Sequence, residues 1–392
     1  MATTGVDTTN AVHAVDAPHN PLVALVAHGQ SIWLDYITRD LVRGGDLQRL
    51  IEQDGIRGMT SNPTIFQKAI ASGHAYDQQI DELLGQGKDA SAIFEALAVR
   101  DIQDACDLFR PLYDQTNGAD GYVSIEVSPG LAHHARGTEE EARRLWQAVA
   151  RPNVMIKVPG TSAGTQAITP LLRDGINVNI TLLFSLHNHE RVMWAYIEAL
   201  KARAAAGQPL DRIASVASFF VSRVDALVDR LLDERLDATS DATAQAQLRA
   251  LQGKAAIANA RLAYARFREI FDAEGFAQLK ARGAHVQRPL WASTGTNNPA
   301  YGDVYYAEAL IGSDTVNTMP QLTLKAFLDH GQVRRTIDTD LGDARATLEA
   351  LAEAGIDFDA VTQQLEDEGV RLFMASYDEL IAGVAQKQRA RE

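Results

Sequence analysis

One cysteine, Cys106, occurs among the 392 residues, which excludes an internal disulfide and favours a reducing compartment. The sequence has no apolar run of about 18 residues, and its start lacks the basic and then apolar order of a signal peptide. Basic residues are fewer than acidic ones, 37 against 51, and this balance argues against nucleic acid or an anionic membrane as a main partner. These absences predict a globular cytoplasmic protein.

Short β-rich runs alternate with long amphipathic stretches along the sequence, which is the pattern of βα units around a parallel sheet. Eight runs are predicted to be strands, at residues 31–37, 56–61, 122–127, 154–158, 176–184, 214–221, 289–294 and 314–319. Eight strands with intervening helices favour a (β/α)8 TIM barrel, and an open doubly wound sheet is the alternative. The fold class is therefore predicted to be α/β.

Helical periodicity between the strands predicts helices at residues 139–150, 162–174, 187–205 and 222–233. Thr138 before three glutamates predicts a capped, acidic first turn at the start of the first of these helices. Additional helices are predicted in two long connections and in a C-terminal tail that packs over the barrel, at residues 67–121, 224–288 and 343–392. Residues 1–20 are predicted to be a flexible leader before one domain over residues 21–392.

Lys157 lies in the middle of the apolar run Val154-Met155-Ile156-Lys157-Val158-Pro159, where a buried strand has no ordinary use for an ammonium group. Burying a charge is costly unless it is paired or neutralised, and a desolvated lysine gives up its proton more readily. The free amine attacks carbonyl carbons and forms Schiff bases. The alternative is an edge-strand lysine whose ammonium group extends to solvent.

Other predicted strands also contain polar residues, namely Asp35, Thr60, Ser61, Asn62, Glu126, Asn179, Thr181, Ser218 and Ser293. Because the catalytic groups of a barrel come from the C-terminal ends of several strands, Asp35, Glu126 and Lys157 are expected to meet in one pocket. Two carboxylates beside an amine provide the proton transfers that imine chemistry needs. The alternative for these three residues is a buried structural salt-bridge cluster.

Three further features of the sequence bear on ligand binding. Arg223 at a predicted helix start is a candidate phosphate ligand, unless it pairs with Asp225 or Asp229. Gly295 and Thr296 offer backbone N–H groups for the same purpose. The pair His187-x-His189 resembles the ligands of metal-dependent barrel hydrolases, but no set of partner ligands is evident at the other strand ends, and no metal site is predicted.

The strand sequences together resemble the transaldolase family, within the class I Schiff-base aldolase superfamily. Its second-strand motif resembles Thr60-Ser61-Asn62-Pro63-Thr64-Ile65-Phe66, its lysine strand Ile156-Lys157-Val158-Pro159-Gly160-Thr161, and its fifth strand Asn179-Ile180-Thr181-Leu182-Leu183-Phe184-Ser185. The match extends from about Ser31 to Met319 in the expected order. The length and the long connections resemble the longer subfamily.

The resemblance implies a role for each polar strand residue. Lys157 would be the Schiff-base lysine, Glu126 the acid/base residue that acts with a water during dehydration, and Asp35 the base at the cleaved hydroxyl. Thr181 would position that water. The substrate-binding residues would be Asn62 and Asn179 for the dihydroxyacetone hydroxyls or the imine, and Ser218, Arg223 and Ser293 for the sugar phosphate.

The implied reaction transfers dihydroxyacetone from sedoheptulose 7-phosphate to glyceraldehyde 3-phosphate, giving erythrose 4-phosphate and fructose 6-phosphate in the pentose phosphate pathway. No metal or organic cofactor is implied, and the partners are phosphorylated sugars, with the protein as a monomer or homodimer. The alternatives are a class I aldolase of the same fold acting on fructose 6-phosphate and a noncatalytic sugar-phosphate binding barrel.

The sequence departs from the family after Ser293. Shorter members continue with an aromatic residue and an arginine, whereas Thr294 and Gly295 follow here, so one phosphate-binding arginine is missing. Asn297 stands where longer relatives often have lysine. Arg334 or Arg335, after the eighth strand, is a candidate to compensate.

Overall fold

The computed structural model describes residues 20–71, 73–296 and 298–389. Its strands are Gln30–Asp35 (β1), Gly58–Thr60 (β2), Tyr122–Glu126 (β3), Val154–Pro159 (β4), Val178–Leu183 (β5), Ser215–Phe220 (β6), Arg288–Ala292 (β7) and Thr315–Met319 (β8). They pair in chain order into a closed parallel barrel, with β8 hydrogen-bonded to β1. The prediction of a (β/α)8 barrel is confirmed, and the open doubly wound sheet is wrong.

Helices surround the barrel and fill the long connections. They are Pro21–Ala27 (α1), Arg39–Arg43 (α2), Asp46–Gln53 (α3), Pro63–Ala71 (α4), Asp77–Gly85 (α5), Ala90–Gln115 (α6), Ala135–Val149 (α7), Ser162–Arg173 (α8), Leu186–Ala205 (α9), Ser222–Ala238 (α10), Ala242–Leu251 (α11), Ala255–Phe271 (α12), Glu274–Lys280 (α13), Tyr305–Ala309 (α14), Gln321–His330 (α15), Leu341–Glu353 (α16) and Phe358–Arg389 (α17). The additional helices predicted in both connections and in the tail are confirmed.

The barrel strands are buried at all positions except one end residue each in β1, β3 and β7, because helices cover the outer face of the sheet and side chains fill the interior. Trp33 of β1 packs across β2, where a Cβ at Gly58 would lie 2.5 Å from the indole. Only glycine leaves room for this ring. Cys106 is buried in α6, where it packs against the core.

The N-terminal end of the barrel is closed by a buried carboxylate, Asp120. It accepts hydrogen bonds from the Ser31 hydroxyl, from Trp33 Nε1 at 3.1 Å and from Arg57 Nε at 2.7 Å, and Arg288 Nη2 lies 3.3 Å away. Burial works against its charged form, but Arg288 and Arg57 hold the pKa of Asp120 below its usual value. This network ties together the starts of β1, β2, β3 and β7.

Helix α17 is the tail helix predicted to pack over the barrel, and it contacts α4, α6, α10 and β5. Thr64 of α4 donates a hydrogen bond to Ser376 of α17 at 2.7 Å. A Cβ at Gly369 would lie 2.8 Å from the Leu182 side chain, so glycine allows the helix to approach β5 closely. The C-terminal segment therefore becomes part of the barrel mouth.

Two boundary predictions need correction or restriction. Helix α7 begins at Ala135, because His134 Nδ1 accepts from Gly137 N–H and caps the helix there; Thr138 lies inside it and donates to the Leu131 carbonyl. The predicted leader, residues 1–20, lies outside the described residues except for Asn20, which caps α1. Among the described helices, none combines the length and apolar character needed to cross a membrane.

Candidate active site

Lys157 points into the barrel from β4, and its side chain is 6% exposed. Its Nζ donates to the Ser61 carbonyl at 3.2 Å and lies 3.1 Å from Glu126 Oε2. Glu126 and Lys157 are register partners on adjacent strands, which places the two side chains at the same height. The closed barrel has no edge strand, so the interpretation of Lys157 as an edge-strand lysine is wrong.

Glu126 is the nearest charged partner of the amine, and its side chain is 4% exposed. Neither of its oxygens receives a hydrogen bond from the described residues, so the contact with Lys157 is an ion pair without hydrogen-bond geometry. Burial raises the pKa of Glu126, Lys157 opposes this effect, and Asp35 adds to it. This carboxyl group is therefore poised to take up a proton.

Asp35 ends β1 on the other side of the barrel mouth. Its Oδ1 accepts a hydrogen bond from Thr60 Oγ1 at 2.6 Å. Burial raises the pKa of Asp35, and the charge of Lys157 opposes this effect. Within the described residues Asp35 has no cation within 4.0 Å, so the three residues do not form the closed salt-bridge cluster considered above.

A cavity of about 260 Å³ opens at the C-terminal ends of the strands. It is lined by Asp35, Thr60, Asn62, Lys157, Thr181, Ser218, Phe220, Ser222, Arg223, Ala292, Ser293, Gly295, Thr296, Thr318, Pro320, Leu322, Thr323 and Phe373. The cavity brings together all the predicted site residues except Glu126 and Asn179. An amine and a separate carboxylate thus face one polar, sugar-sized space.

Sequence comparison agrees with this geometry. Residues 32–384 match the profile of the transaldolase/fructose-6-phosphate aldolase family. A transaldolase of Trichodesmium erythraeum is 45% identical over 370 residues, which cover 94% of this chain and 97% of that protein. A transaldolase of Mycobacterium tuberculosis is 47% identical over 365 residues, covering 92% and 96%. The chain belongs to the transaldolase/fructose-6-phosphate aldolase family.

Glu126 and Asn179 lie just outside the main cavity of this family member. Glu126 lines a smaller cavity of about 40 Å³, which Asn62 also lines. Asn179 is buried; its Nδ2 donates to Ser124 Oγ at 3.0 Å, and its Oδ1 accepts from Ser218 Oγ at 2.7 Å. One amide hydrogen of Asn179 remains for a ligand, and its substrate contact stays a prediction.

Thr181 is directed by an irregularity in β5. The pairing of β5 with β6 shifts register between Ile180 and Leu183, and Leu182 has a φ of 61°. Bulges of this kind redirect side chains at barrel rims. Thr181 lines the main cavity and its Oγ1 has no hydrogen-bond partner among the described residues, so the hydroxyl is available to a ligand or a water.

Arg223 is the second residue of α10 and lines the outer part of the main cavity. The alternative that it pairs with Asp225 or Asp229 is wrong. Asp225 accepts from Ala256 N–H and the Tyr306 hydroxyl, whereas Asp229 accepts from Gly253 N–H and the Tyr301 hydroxyl. In the part of the chain that is described, Arg223 forms no ion pair, and its guanidinium lies 5.2 Å from the centre of the Phe220 ring.

Ser293 follows β7 and meets α10 at the same place. It has a φ of 58°, an unusual value for a residue other than glycine, and its hydroxyl lies 2.8 Å from that of Ser222. The Ser222 N–H donates to the Ser293 carbonyl at 3.0 Å. These contacts hold two hydroxyls and the start of α10 beside Arg223, which is the environment of an anion site.

Neither Arg334 nor Arg335 replaces the phosphate-binding arginine that shorter family members have soon after the position of Ser293. Helix α15 leads the chain away from the cavity, and Thr336 N–H donates to the Ile311 carbonyl, before β8 begins. Arg335 pairs with Asp338, and Arg334 lines a groove on the barrel flank. The prediction that Arg334 or Arg335 compensates is therefore wrong. Gly295 and Thr296 do line the main cavity, and Asn297 lies outside the described residues.

Phe373 is a site residue that sequence reasoning missed. It projects from α17, is 5% exposed, and its ring centre lies 5.4 Å from Lys157 Nζ. The tail was predicted to pack over the barrel, but no local motif indicates which of its residues reaches Lys157. Thr318 was also missed: its hydroxyl lies 2.6 Å from that of Thr60, and its place near the end of the eighth strand could have indicated it.

In the pair His187-x-His189, His189 has a packing role. His189 is fully buried, packs edge-on against Phe219, and has a pKa lowered by burial to about 4. Over the described ranges, no group of three or more His, Cys, Asp and Glu side chains could hold a metal ion. His133 and His134 are exposed.

Proposed function

We propose that this protein is a transaldolase of the pentose phosphate pathway, which transfers dihydroxyacetone from sedoheptulose 7-phosphate to glyceraldehyde 3-phosphate. The products are erythrose 4-phosphate and fructose 6-phosphate. The observation that carries the proposal is the buried amine of Lys157, 3.1 Å from Glu126 and facing a cavity that Asp35 also lines. The name transaldolase borne by the curated relatives supports the same reaction.

In the first step Lys157 attacks the C2 carbonyl of the donor sugar. Lys157 first passes a proton to Glu126 and becomes the free amine. After attack, one N–H proton moves to the C2 oxygen and gives the carbinolamine. Glu126 then returns its proton, by way of a water held with Thr181, to the resulting hydroxyl, which leaves as water while the nitrogen lone pair forms the iminium ion. The raised pKa of Glu126 supports this role, because a general acid and base must hold and release a proton near the working pH.

In the second step Asp35 removes the proton of the C4 hydroxyl while the C3–C4 bond breaks. The electron pair of that bond passes into the iminium, which becomes a neutral enamine, and the aldose product leaves. The acceptor aldehyde then adds to the enamine, and its new hydroxyl takes the proton from Asp35. Because the iminium itself accepts the electrons, these steps need no metal or organic cofactor.

Binding contacts are proposed on both sides of the reacting carbon. Asn62 and Asn179 would hold the dihydroxyacetone hydroxyls or the imine. Arg223, Ser218 and Ser293 would hold the sugar phosphate at the outer part of the cavity, where Arg223 has no carboxylate partner among the described residues. A charge-assisted contact of this kind suits a phosphate. A cytoplasmic location and a monomeric or homodimeric state stay predictions from the sequence.

The test compares the rate of fructose 6-phosphate consumption with and without erythrose 4-phosphate as acceptor. A transaldolase needs the acceptor and forms sedoheptulose 7-phosphate. Fast release of free dihydroxyacetone without an acceptor would assign the protein to the aldolases of the same family. Absence of any covalent adduct after borohydride reduction with fructose 6-phosphate would favour a noncatalytic binding barrel.

A further inference from the structure

The first half of α10 contains two buried acidic side chains that the proposed chemistry does not use. Asp225 accepts a hydrogen bond from the Tyr306 hydroxyl at 2.9 Å. Asp229 accepts one from the Tyr301 hydroxyl at 2.6 Å. Both tyrosines lie between the end of β7 and the end of α14, so two side-chain hydrogen bonds join α10 to that segment. We call these four residues the Asp–Tyr clamp.

The two acidic side chains of the clamp also hold the start of α12. The N-cap residue of α12, Lys254, makes no side-chain capping bond. Instead, Ala256 N–H donates to Asp225 at 2.8 Å, and Gly253 N–H donates to Asp229 at 2.9 Å. The N–H groups at a helix start have no partner within the helix, so another helix caps α12 here. Burial raises the pKa of both carboxyl groups, to about 7 for Asp225, and these hydrogen bonds oppose the effect.

The clamp lies beside the residues proposed to bind the phosphate. Asp229, Tyr301 and Tyr306 line an outer groove of about 550 Å³. Four residues line both this groove and the main cavity, namely Ser222, Arg223, Ser293 and Thr296. The groove and the cavity therefore adjoin at the start of α10 and at the end of β7.

Few other contacts hold the start of α10. Its N-cap residue, Val221, provides no side-chain cap, and Arg223 has no ion-pair partner among the described residues. The Ser222 N–H donates to the Ser293 carbonyl at 3.0 Å, and the clamp begins at Asp225, one turn further along. Because Arg223 lies between these two attachments, its position depends on both. A binding group keeps its geometry when its neighbours hold it, and a small displacement weakens binding.

We propose that the Asp–Tyr clamp positions the phosphate site. It holds the start of α10, which contains Arg223, against the segment after β7, which contains Ser293 and Thr296. The four clamp residues are positioning residues, because they act through Arg223 and that segment. The inference rests on the proposed function, in which Arg223 binds the sugar phosphate.

The experiment removes one clamp hydroxyl at a time. Tyr306→Phe and Tyr301→Phe each keep the ring and delete one hydrogen bond of the clamp. Tyr76→Phe is the matched control, because Tyr76 is buried and its hydroxyl donates at 2.8 Å to a buried carboxylate elsewhere, Asp101 of α6. Steady-state kinetics at saturating erythrose 4-phosphate give kcat and KM for fructose 6-phosphate. They also give the inhibition constant of inorganic phosphate as a competitor.

Both clamp variants are expected to raise KM for fructose 6-phosphate and the inhibition constant of phosphate severalfold. Their kcat should change little, as should the reaction of unphosphorylated fructose with glyceraldehyde, because the groups around Lys157 keep their places. Tyr76→Phe should lose stability to a similar extent in urea denaturation and leave KM and the inhibition constant unchanged. If one clamp variant does not fold, the other decides the result.

Wild-type inhibition constants in the folded clamp variants would overturn the positioning role. An equal change in Tyr76→Phe would do the same, since the effect would then be general destabilisation. Equal losses for phosphorylated and unphosphorylated sugars would also overturn it. Failure of the proposed function gives a different result, because the wild type itself would then form no sedoheptulose 7-phosphate.

Discussion

Each end of the barrel contains a buried carboxylate beside a cation, but the pKa values of the two carboxylates are shifted in opposite directions. At the N-terminal end Asp120 receives hydrogen bonds from the side chains of Ser31, Trp33 and Arg57, and its pKa is lowered. At the C-terminal end Glu126 has Lys157 at 3.1 Å but no hydrogen bond from the described residues, and its pKa is raised. Full pairing fixes a charge, whereas incomplete pairing leaves a proton able to move.

This difference indicates that the N-terminal end of the barrel stabilises the fold, whereas the C-terminal end contains the reactive groups. The Asp120 network connects the starts of four strands and offers no free polar atom on its carboxylate. At the Lys157 end, polar atoms of Glu126 and Thr181 have no hydrogen-bond partner within the described part of the chain, and the backbone at Leu182 and Ser293 has positive φ. Buried polar groups without partners are costly, and they persist at sites where a ligand or water completes them.

The largest effect is expected for Lys157→Ala, which removes the nucleophile. Transfer activity and borohydride-trapped adduct should both disappear, while the circular dichroism spectrum stays that of the wild type. Lys254→Ala, an exposed lysine outside the main cavity, is the control and should keep full activity. Residual transfer by Lys157→Ala above that of a blank would show that another group forms the covalent bond.

Glu126→Gln should lower kcat by about 10² to 10⁴, the usual contribution of general acid–base catalysis, with a much smaller change in KM. The amide has a similar shape but cannot carry the proton between Lys157 and the leaving oxygen. Steady-state kinetics with both substrates measure this effect. A variant with wild-type kcat would remove Glu126 from the mechanism.

Asp120→Asn, in contrast, should lower the stability of the fold and leave kcat nearly unchanged. Loss of the charge leaves Arg57 and Arg288 without their carboxylate, and breaking a buried ion pair costs about 3 to 5 kcal/mol of unfolding free energy. Urea denaturation measures this loss, and kcat of the folded fraction should change little. Asp107→Asn, at an exposed carboxylate paired with Arg151, is the control and should cost at most about 1 kcal/mol.

Arg223→Ala should raise KM for phosphorylated substrates by about 10- to 100-fold, since a charge-assisted hydrogen bond contributes about 1.5 to 3 kcal/mol. Reactions of unphosphorylated sugars should be nearly unaffected. Arg230→Ala, an exposed arginine on the same helix that pairs with Glu234, is the control. Equal losses for both classes of sugar would exclude Arg223 as the phosphate ligand.

The smallest effects are expected in the pH dependence of the unfolding free energy. The contributions of Asp120 and Glu126 should change in opposite directions as pH rises. Asp120, with its lowered pKa, stabilises the fold above the ordinary aspartate pKa, and this contribution is lost as pH falls through its folded pKa. Folded Glu126 keeps its proton to higher pH than the unfolded chain, so wild-type stability decreases as pH rises through that window.

Urea denaturation of Asp120→Asn and Glu126→Gln across pH tests this difference. The deficit of Asp120→Asn relative to wild type should shrink towards acid pH. The stability of Glu126→Gln relative to wild type should increase from the ordinary glutamate pKa upward. Parallel curves for the two variants would contradict the contrast between the ends of the barrel.

Sequence patterns predicted every strand of the barrel, because apolar β-rich runs between turn residues depend mainly on local chemistry. They also indicated the polar strand ends that line the main cavity. The start of α7 was predicted wrongly, because the competing cap at His134 depends on loop geometry. Asp120 was missed, since it lies in a loop and its partners Arg57 and Arg288 are far away in sequence.

The remaining errors concern where the chain travels after the strands. The tail was predicted to pack over the barrel, but a single aromatic residue in a long amphipathic helix gives no sign that Phe373 is the residue that reaches Lys157. Arg334 and Arg335 lie soon after the eighth strand in sequence, but α15 carries them to the other end. The order of residues in the sequence determines which residues are neighbours along a strand, but it does not show where a helix carries the chain.

The most direct measurement is peptide mapping after borohydride reduction of the protein with fructose 6-phosphate. One reduced dihydroxyacetone adduct is expected, on Lys157, formed more slowly in Glu126→Gln and absent from Lys157→Ala. An adduct on a different lysine, or none on the active wild-type protein, would contradict this expectation.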